Sequence, residues 1–70
     1  MSHEKLVRMA NQIGAFFKHH REDEAVHEIA EHIKSFWEKR MREQIFAHLE
    51  AGGEGLHERV KAALDKLKTH

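Results

Sequence analysis

The stretch Ile33-Lys34-Ser35-Phe36-Trp37-Glu38-Lys39-Arg40-Met41-Arg42-Glu43-Gln44-Ile45-Phe46-Ala47-His48-Leu49 decides how many helices this chain forms. Continued as one helix in the phase of Ile33 and Phe36, it places Arg40 and Gln44 in the middle of the apolar stripe. Phe46 and Leu49 then turn to the opposite side. A new helix start at this point instead crowds Lys39, Arg40 and Arg42 onto a positive helix end, an exposed repulsion of only a few tenths of a kcal/mol. Burying two polar side chains costs more than that. The phase therefore predicts a break near residues 37–40, between Trp37 and Met41. A third helix over about residues 40–51 follows, with Met41, Ile45, Phe46 and Leu49 on its face.

Upstream, Leu6, Met9, Ala10, Ile13, Phe16 and Phe17 share one face at about 100° per residue, and Val7 and Gly14 widen it to roughly half the circumference. Val26, Ile29, Ala30, Ile33, Phe36 and Trp37 repeat this stripe twenty residues later, while none of the six intervening positions matches. An ancient duplication accounts for the repeat, and so does the convergence of two antiparallel helices that bury equal faces. Either origin predicts a helical hairpin over residues 3–19 and 24–37, with the stripes facing each other over Leu6, Met9, Ile13, Ile29 and Ile33. Phe17 is then expected beside the turn and Trp37 beside the start of the first helix. Ser2 is the expected N-cap of the first helix and Asp23 that of the second, with Glu24 and Glu28 in or near the latter's favourable first turn. His20-Arg21-Glu22-Asp23 reads as the turn between them.

Downstream, three of the four glycines fall in Ala51-Gly52-Gly53-Glu54-Gly55, a connection. Leu56, Val60, Ala63, Leu64 and Leu67 then form a narrow stripe on a last helix over about residues 56–68, whose outer face (Glu58, Arg59, Lys61, Asp65, Lys66 and Lys68) reads as solvated. Strand-type alternation and proline are both absent from the sequence. The expected fold is all-α: one helical domain over residues 1–70, a small bundle of three to four short helices.

Seventy residues and 8.2 kDa bury only about 60% of the surface that the unfolded chain exposes, so such a core is marginal alone. With no cysteine, disulfides, thiolate metal sites and thiol nucleophiles are excluded. Twelve basic side chains balance twelve acidic ones, so no net basic field favours nucleic acid. No apolar run reaches the ~18 residues of a membrane helix. The start Met1-Ser2-His3-Glu4-Lys5-Leu6 carries no run of the secretory type, from which a cytoplasmic setting is expected.

Eight histidines invite a metal, but His27-Glu28-Ile29-Ala30-Glu31-His32 is one residue too long for the zinc motif with ligands four apart. At a spacing of five the two rings diverge by about 140° on a helix. Surface histidines are the expected reading. Ser2, Ser35 and Thr69 are the only hydroxyls and none lies in a nucleophile elbow. The Gly52-Gly53-Glu54-Gly55 run lacks the Lys-Ser/Thr of a phosphate loop and reads as a helix connection. No catalytic, cofactor-binding or metal-binding residue is expected in this chain. The excess is apolar instead. Nineteen large hydrophobic side chains beyond Met1, four of them Phe and one Trp, exceed what short helices hide, and exposed apolar patches mark interaction surfaces. The polar trio Arg8, Asn11 and Gln12 fits such a surface and also fits plain solvent exposure. Trp37 with Arg40 and Arg42 beside it has the composition of an interface hot spot, or Trp37 plugs the core and the arginines merely solvate a helix start.

The run Leu6-Val7-Arg8-Met9-Ala10-Asn11-Gln12-Ile13-Gly14-Ala15-Phe16-Phe17 resembles the opening motif of the delta subunit of NAD-dependent, molybdenum-containing formate dehydrogenases. Similar too are Ile29-Ala30-Glu31-His32-Ile33-Lys34-Ser35-Phe36-Trp37, then Arg40-Met41-Arg42, Ala47-His48, Gly52-Gly53-Glu54-Gly55-Leu56 and Val60-Lys61-Ala62-Ala63-Leu64. The chain departs from the family's usual pattern at Lys39, where the family usually has proline, and at His57-Glu58, where it tends to have Asp-Pro. Proline at both places would mark the first turn of a helix.

The resemblance implies a non-catalytic accessory subunit that docks on a cytoplasmic formate dehydrogenase complex and stabilises it or helps it mature. It implies no cofactor in this chain. Molybdenum-pterin, iron–sulfur clusters, FMN and NAD are expected in the partner subunits, with the molybdenum-containing alpha subunit as chief partner. Arg8, Asn11, Gln12, Trp37, Arg40 and Arg42 are the expected interface. A free-standing helical module, a homodimer and a transient maturation chaperone are the competing readings. No contact with nucleic acid or membrane is expected.

Overall fold

The Ser2 hydroxyl accepts the Lys5 N–H at 3.2 Å and so caps the first helix as the sequence predicts. The computed structural model describes residues 2–69. Four helices follow in order: α1 His3–Phe16, α2 Glu22–Phe36, α3 Lys39–Glu50 and α4 Glu58–Lys68. No strand occurs among the described residues. α1 stops three residues short of the expected 3–19. Phe17 and Lys18 donate to the carbonyls of Gly14 (3.1 Å) and Ala15 (3.2 Å), and these i→i−3 bonds tighten and end the last turn.

The break falls where the phase places it. Trp37 still donates to Ile33 O at 3.0 Å, but its ψ of 138° and the ψ of 155° at Glu38 are extended. Lys39 and Glu58 are the first residues of α3 and α4, and both helices begin there without proline. The expected cap Asp23 is a correction. The N-cap is Arg21, with no side-chain cap bond, and Asp23 lies inside the first turn. There its Oδ1 accepts the Glu24 N–H at 2.9 Å and pairs with Arg21 at 3.6 Å. With Glu22, Asp23 and Glu24 all in that turn, the helix dipole is met by charge rather than by a cap.

Leu6, Ile29, Ile33, Ile45, Val60 and Leu64 are the large side chains buried completely, so all four helices feed one core. The pairing of faces departs from the hairpin expectation: α2 packs most extensively on α4, and α1 is a lesser neighbour. At Gly14 a Cβ would lie 2.7 Å from Val60 Cγ2 and 3.9 Å from Ile29 Cδ1, so the missing side chain lets α4 come in against α1 beside α2. α4 runs parallel to α2: Arg59, near its start, reaches the turn before α2, and Leu67, near its end, shares a cleft with Lys34 near the end of α2. A stripe half a circumference wide now serves two neighbours. Leu6, Ala10, Ile29 and Ile33 take the inner part and are buried, whereas Met9 and Ile13 are only half-buried. The matched pair Phe16 and Phe36 is left outside, 79% and 74% exposed.

Gly52 and Gly53 close α3 by donating to Leu49 O (3.0 Å) and His48 O (2.9 Å), a Schellman arrangement, and Gly53 sits at φ 65°, where a side chain is strained. Asn11 clamps this connection to α1. Its Nδ2 donates to Gly55 O at 2.9 Å and its Oδ1 accepts His57 N–H at 3.0 Å. Arg59, expected on a solvated face, is half-buried, and its Nη1 donates to the carbonyls of Lys18 (3.3 Å) and His20 (3.0 Å). Lys68 pairs with Glu50 and ties the ends of α4 and α3 together.

Candidate interaction surface

Met9, Ile13 and Phe17 on one side and Trp37 at the α2–α3 break line an apolar groove of about 380 Å³, with Gln12, Phe16 and His32 at the same opening. Each wall follows from the helix phase. Met9, Ile13 and Phe16 lie on the flank of α1 that α4 does not reach. Trp37 is turned inward by the extended backbone of the break and is 7% exposed. The aromatic surface continues beyond the opening: Phe36 packs on His32 with ring centroids 4.7 Å apart and planes tilted by 34°, and Phe16 meets Phe17 edge to face at 5.0 Å. Phe17 also touches the His20 ring at 5.3 Å. The groove thus joins two ends of the sequence pattern, the α1 aromatics and the residues around the break.

The six residues expected at an interface do not form one patch. Gln12 and Trp37 share the groove. Asn11, about 100° from Gln12 around the helix, faces the other flank, and its amide is engaged by Gly55 and His57. Arg8 is exposed and lies with Glu4, His3, His48 and Glu54 in a separate cleft toward the α3–α4 connection. Arg40 is exposed at the start of α3, and Arg42 is half-buried with Nη1 donating to Lys34 O at 3.5 Å near the end of α2. Trp37 is core by burial and also lines the groove, which neither Arg40 nor Arg42 reaches.

Phe16, Phe36 and His32 are the surface residues that the sequence reading does not single out. Periodicity places both phenylalanines on the buried stripe, and only knowledge of which neighbour claims which half of the stripe turns them outward.

The histidines are scattered. His27 is exposed, His32 packs on Phe36, and His3 meets His48 edge to face at 5.4 Å, with His48 Nε2 hydrogen-bonded to the Glu54 carbonyl at 2.8 Å. Among the described residues no group of three His, Asp or Glu side chains is arranged to hold a metal ion. No helix among them is long and apolar enough to cross a membrane.

No curated protein and no solved structure matches the chain. The family described as NADH-dependent formate dehydrogenase delta subunit FdsD matches residues 5–64, a span that takes in the α1 aromatics, the break at Trp37, the Asn11 clamp and most of α4. A match over this much of 70 residues, on a four-helix chain with an open aromatic groove, places the protein in the delta-subunit family of NADH-dependent formate dehydrogenases.

Proposed function

We propose that this chain is a non-catalytic accessory subunit that docks on the larger subunits of a cytoplasmic formate dehydrogenase and stabilises the complex or helps it mature. The observation that carries this reading is the groove beside Phe16 and Phe36, whose rings stand 79% and 74% exposed. Two fully covered Phe side chains contribute about 1.5–3 kcal/mol each, a driving force that the free chain leaves unused. Trp37 and Gln12 enter the interface through the same groove. Arg40 and Arg42 extend it past the break, and Arg8 adds a charge on the far flank of α1. Asn11 acts one step removed, by holding the connection against α1. The molybdenum-containing alpha subunit is the partner we favour. Molybdenum-pterin, iron–sulfur clusters, FMN and NAD reside in the partner subunits on this reading, and this chain supplies no ligand to them.

The test is affinity capture of the tagged full chain co-expressed with the other subunits. The wild type is expected to retain them in stoichiometric amount, and Phe16→Ser/Phe36→Ser to lose them while keeping its helicity. Recovery of the wild type as a pure small dimer would replace this reading with self-association. Substoichiometric, growth-phase-dependent recovery would replace a permanent subunit with a maturation chaperone.

A further inference from the structure

A second cleft, of about 290 Å³, lies where the ends of α2 and α4 meet α3. Phe46 and Leu67, both half-buried, supply its apolar part, and Lys34, Lys39 and Arg42 surround them with Glu43 as the one lining carboxylate. Among the described residues none of these three cations is in an ion pair. Arg42 spends one donor on Lys34 O, and the rest of its guanidinium is left for another acceptor. Arg40 adds a further exposed cation, and against these cations the start of α3 sets only Glu38 at its N-cap, with no acidic residue in the first turn. Positive charge at a helix start opposes the dipole, so the arrangement is locally unfavourable in the free chain. An acidic occupant reverses the sign of that contribution.

We infer that this cleft receives a short acidic segment of a formate dehydrogenase subunit, one apolar side chain seated on Phe46 and Leu67 between carboxylates that pair with Lys34, Lys39 and Arg42. The inference rests on the accessory-subunit reading and adds to it a second contact and its chemistry. Charge complementarity selects the occupant. The apolar floor and Glu43 disfavour a phosphate backbone, and the acidic first turn of α2 (Glu22, Asp23 and Glu24) repels a long polyanion from the rest of the molecule. A second copy could offer only that same acidic turn, three carboxylates on a helix start with no apolar side chain between them to seat on Phe46 and Leu67.

The test titrates fluorescently labelled full chain onto the formate dehydrogenase complex purified without it. Wild-type affinity is expected to fall about tenfold or more when salt rises from about 50 mM to about 300 mM. Lys34→Gln/Lys39→Gln is expected to weaken low-salt binding about tenfold, and Lys34→Glu/Lys39→Glu about a hundredfold with most of the salt dependence gone. Both residues are exposed, and circular dichroism checks that the variants remain helical. Glu22→Lys/Glu24→Lys, at the acidic turn, is expected to stay within about twofold of wild type. If wild type binds and Lys34→Glu/Lys39→Glu binds within about twofold of it, the cleft is no contact while the accessory reading stands. If the wild type does not bind at all, the accessory reading fails and this inference with it. Concentration-dependent self-association of wild type that the Lys34→Glu/Lys39→Glu change abolishes would assign the cleft to a second copy instead.

Discussion

Gly14→Ala isolates the close approach of Val60 in α4 to α1. On helix propensity alone, alanine in the interior of α1 would stabilise the chain by about 1 kcal/mol. Its Cβ, however, would stand 2.7 Å from Val60 Cγ2, closer than such carbons approach. Val60 is fully buried and, being β-branched in a helix, has essentially one side-chain rotamer, so it cannot swing away. Overpacking of this kind costs about 1–3 kcal/mol. The net expectation is a loss of about 1 kcal/mol, or about 4–8 °C in melting temperature for a domain of this size. Val60→Ala removes the clashing methyl and by itself costs about 1–3 kcal/mol in lost burial and cavity. In the double variant the alanine at 14 no longer collides, so the cycle should show a favourable coupling of about 1–2 kcal/mol. Urea and thermal unfolding of the full chain, followed by far-ultraviolet circular dichroism, measure all four corners. A Gly14→Ala chain that melts higher than wild type, with an additive cycle, would mean that α4 does not cross α1 at Gly14.

Asn11→Ala is expected to cost about 0.5–1.5 kcal/mol for each of the hydrogen bonds it removes, to Gly55 O and from His57 N–H, and thermal melts read the loss. Arg59→Met is expected to speed amide exchange in the turn before α2, where Lys18 O and His20 O lose their shared donor, while exchange in α3 stays unchanged. Lys68 titrates above its ordinary 10.5, chiefly because its ammonium donates to Glu50. A pKa raised on folding stabilises below the unfolded value and is lost as pH climbs through the folded one, so Glu50→Gln is expected to flatten the alkaline fall in melting temperature and to matter little near neutrality.

Phase alone locates the break, since Arg40 and Gln44 would otherwise occupy a core stripe, and it identifies the buried faces of α3 and α4. What phase does not specify is the neighbour. The stripes of α1 and α2 are alike, so facing each other is the simplest pairing, and phase does not show that α2 packs most extensively on α4 or that α4 comes close to α1 at Gly14. A glycine within an otherwise good helix is the sequence signal for such close approach, and Gly14 carries it in plain view. The exposure of Phe16 and Phe36 is likewise not legible in the phase, which places both on the buried stripe. Asn11 was legible as polar but not as a clamp, because its partners Gly55 and His57 lie 44 and 46 residues away. Asp23 lost the cap position to Arg21 by two residues, and three acidic side chains in the first turn make the two registers nearly equivalent.

Native mass spectrometry of the formate dehydrogenase complex, purified through one of its other subunits, tests the central claim most directly. The account predicts an 8.2 kDa chain held at fixed stoichiometry in the wild-type complex and lost from it when Phe16 and Phe36 are both serine. A complex that retains the doubly substituted chain in full, or a wild-type complex that never contains it, would contradict the account.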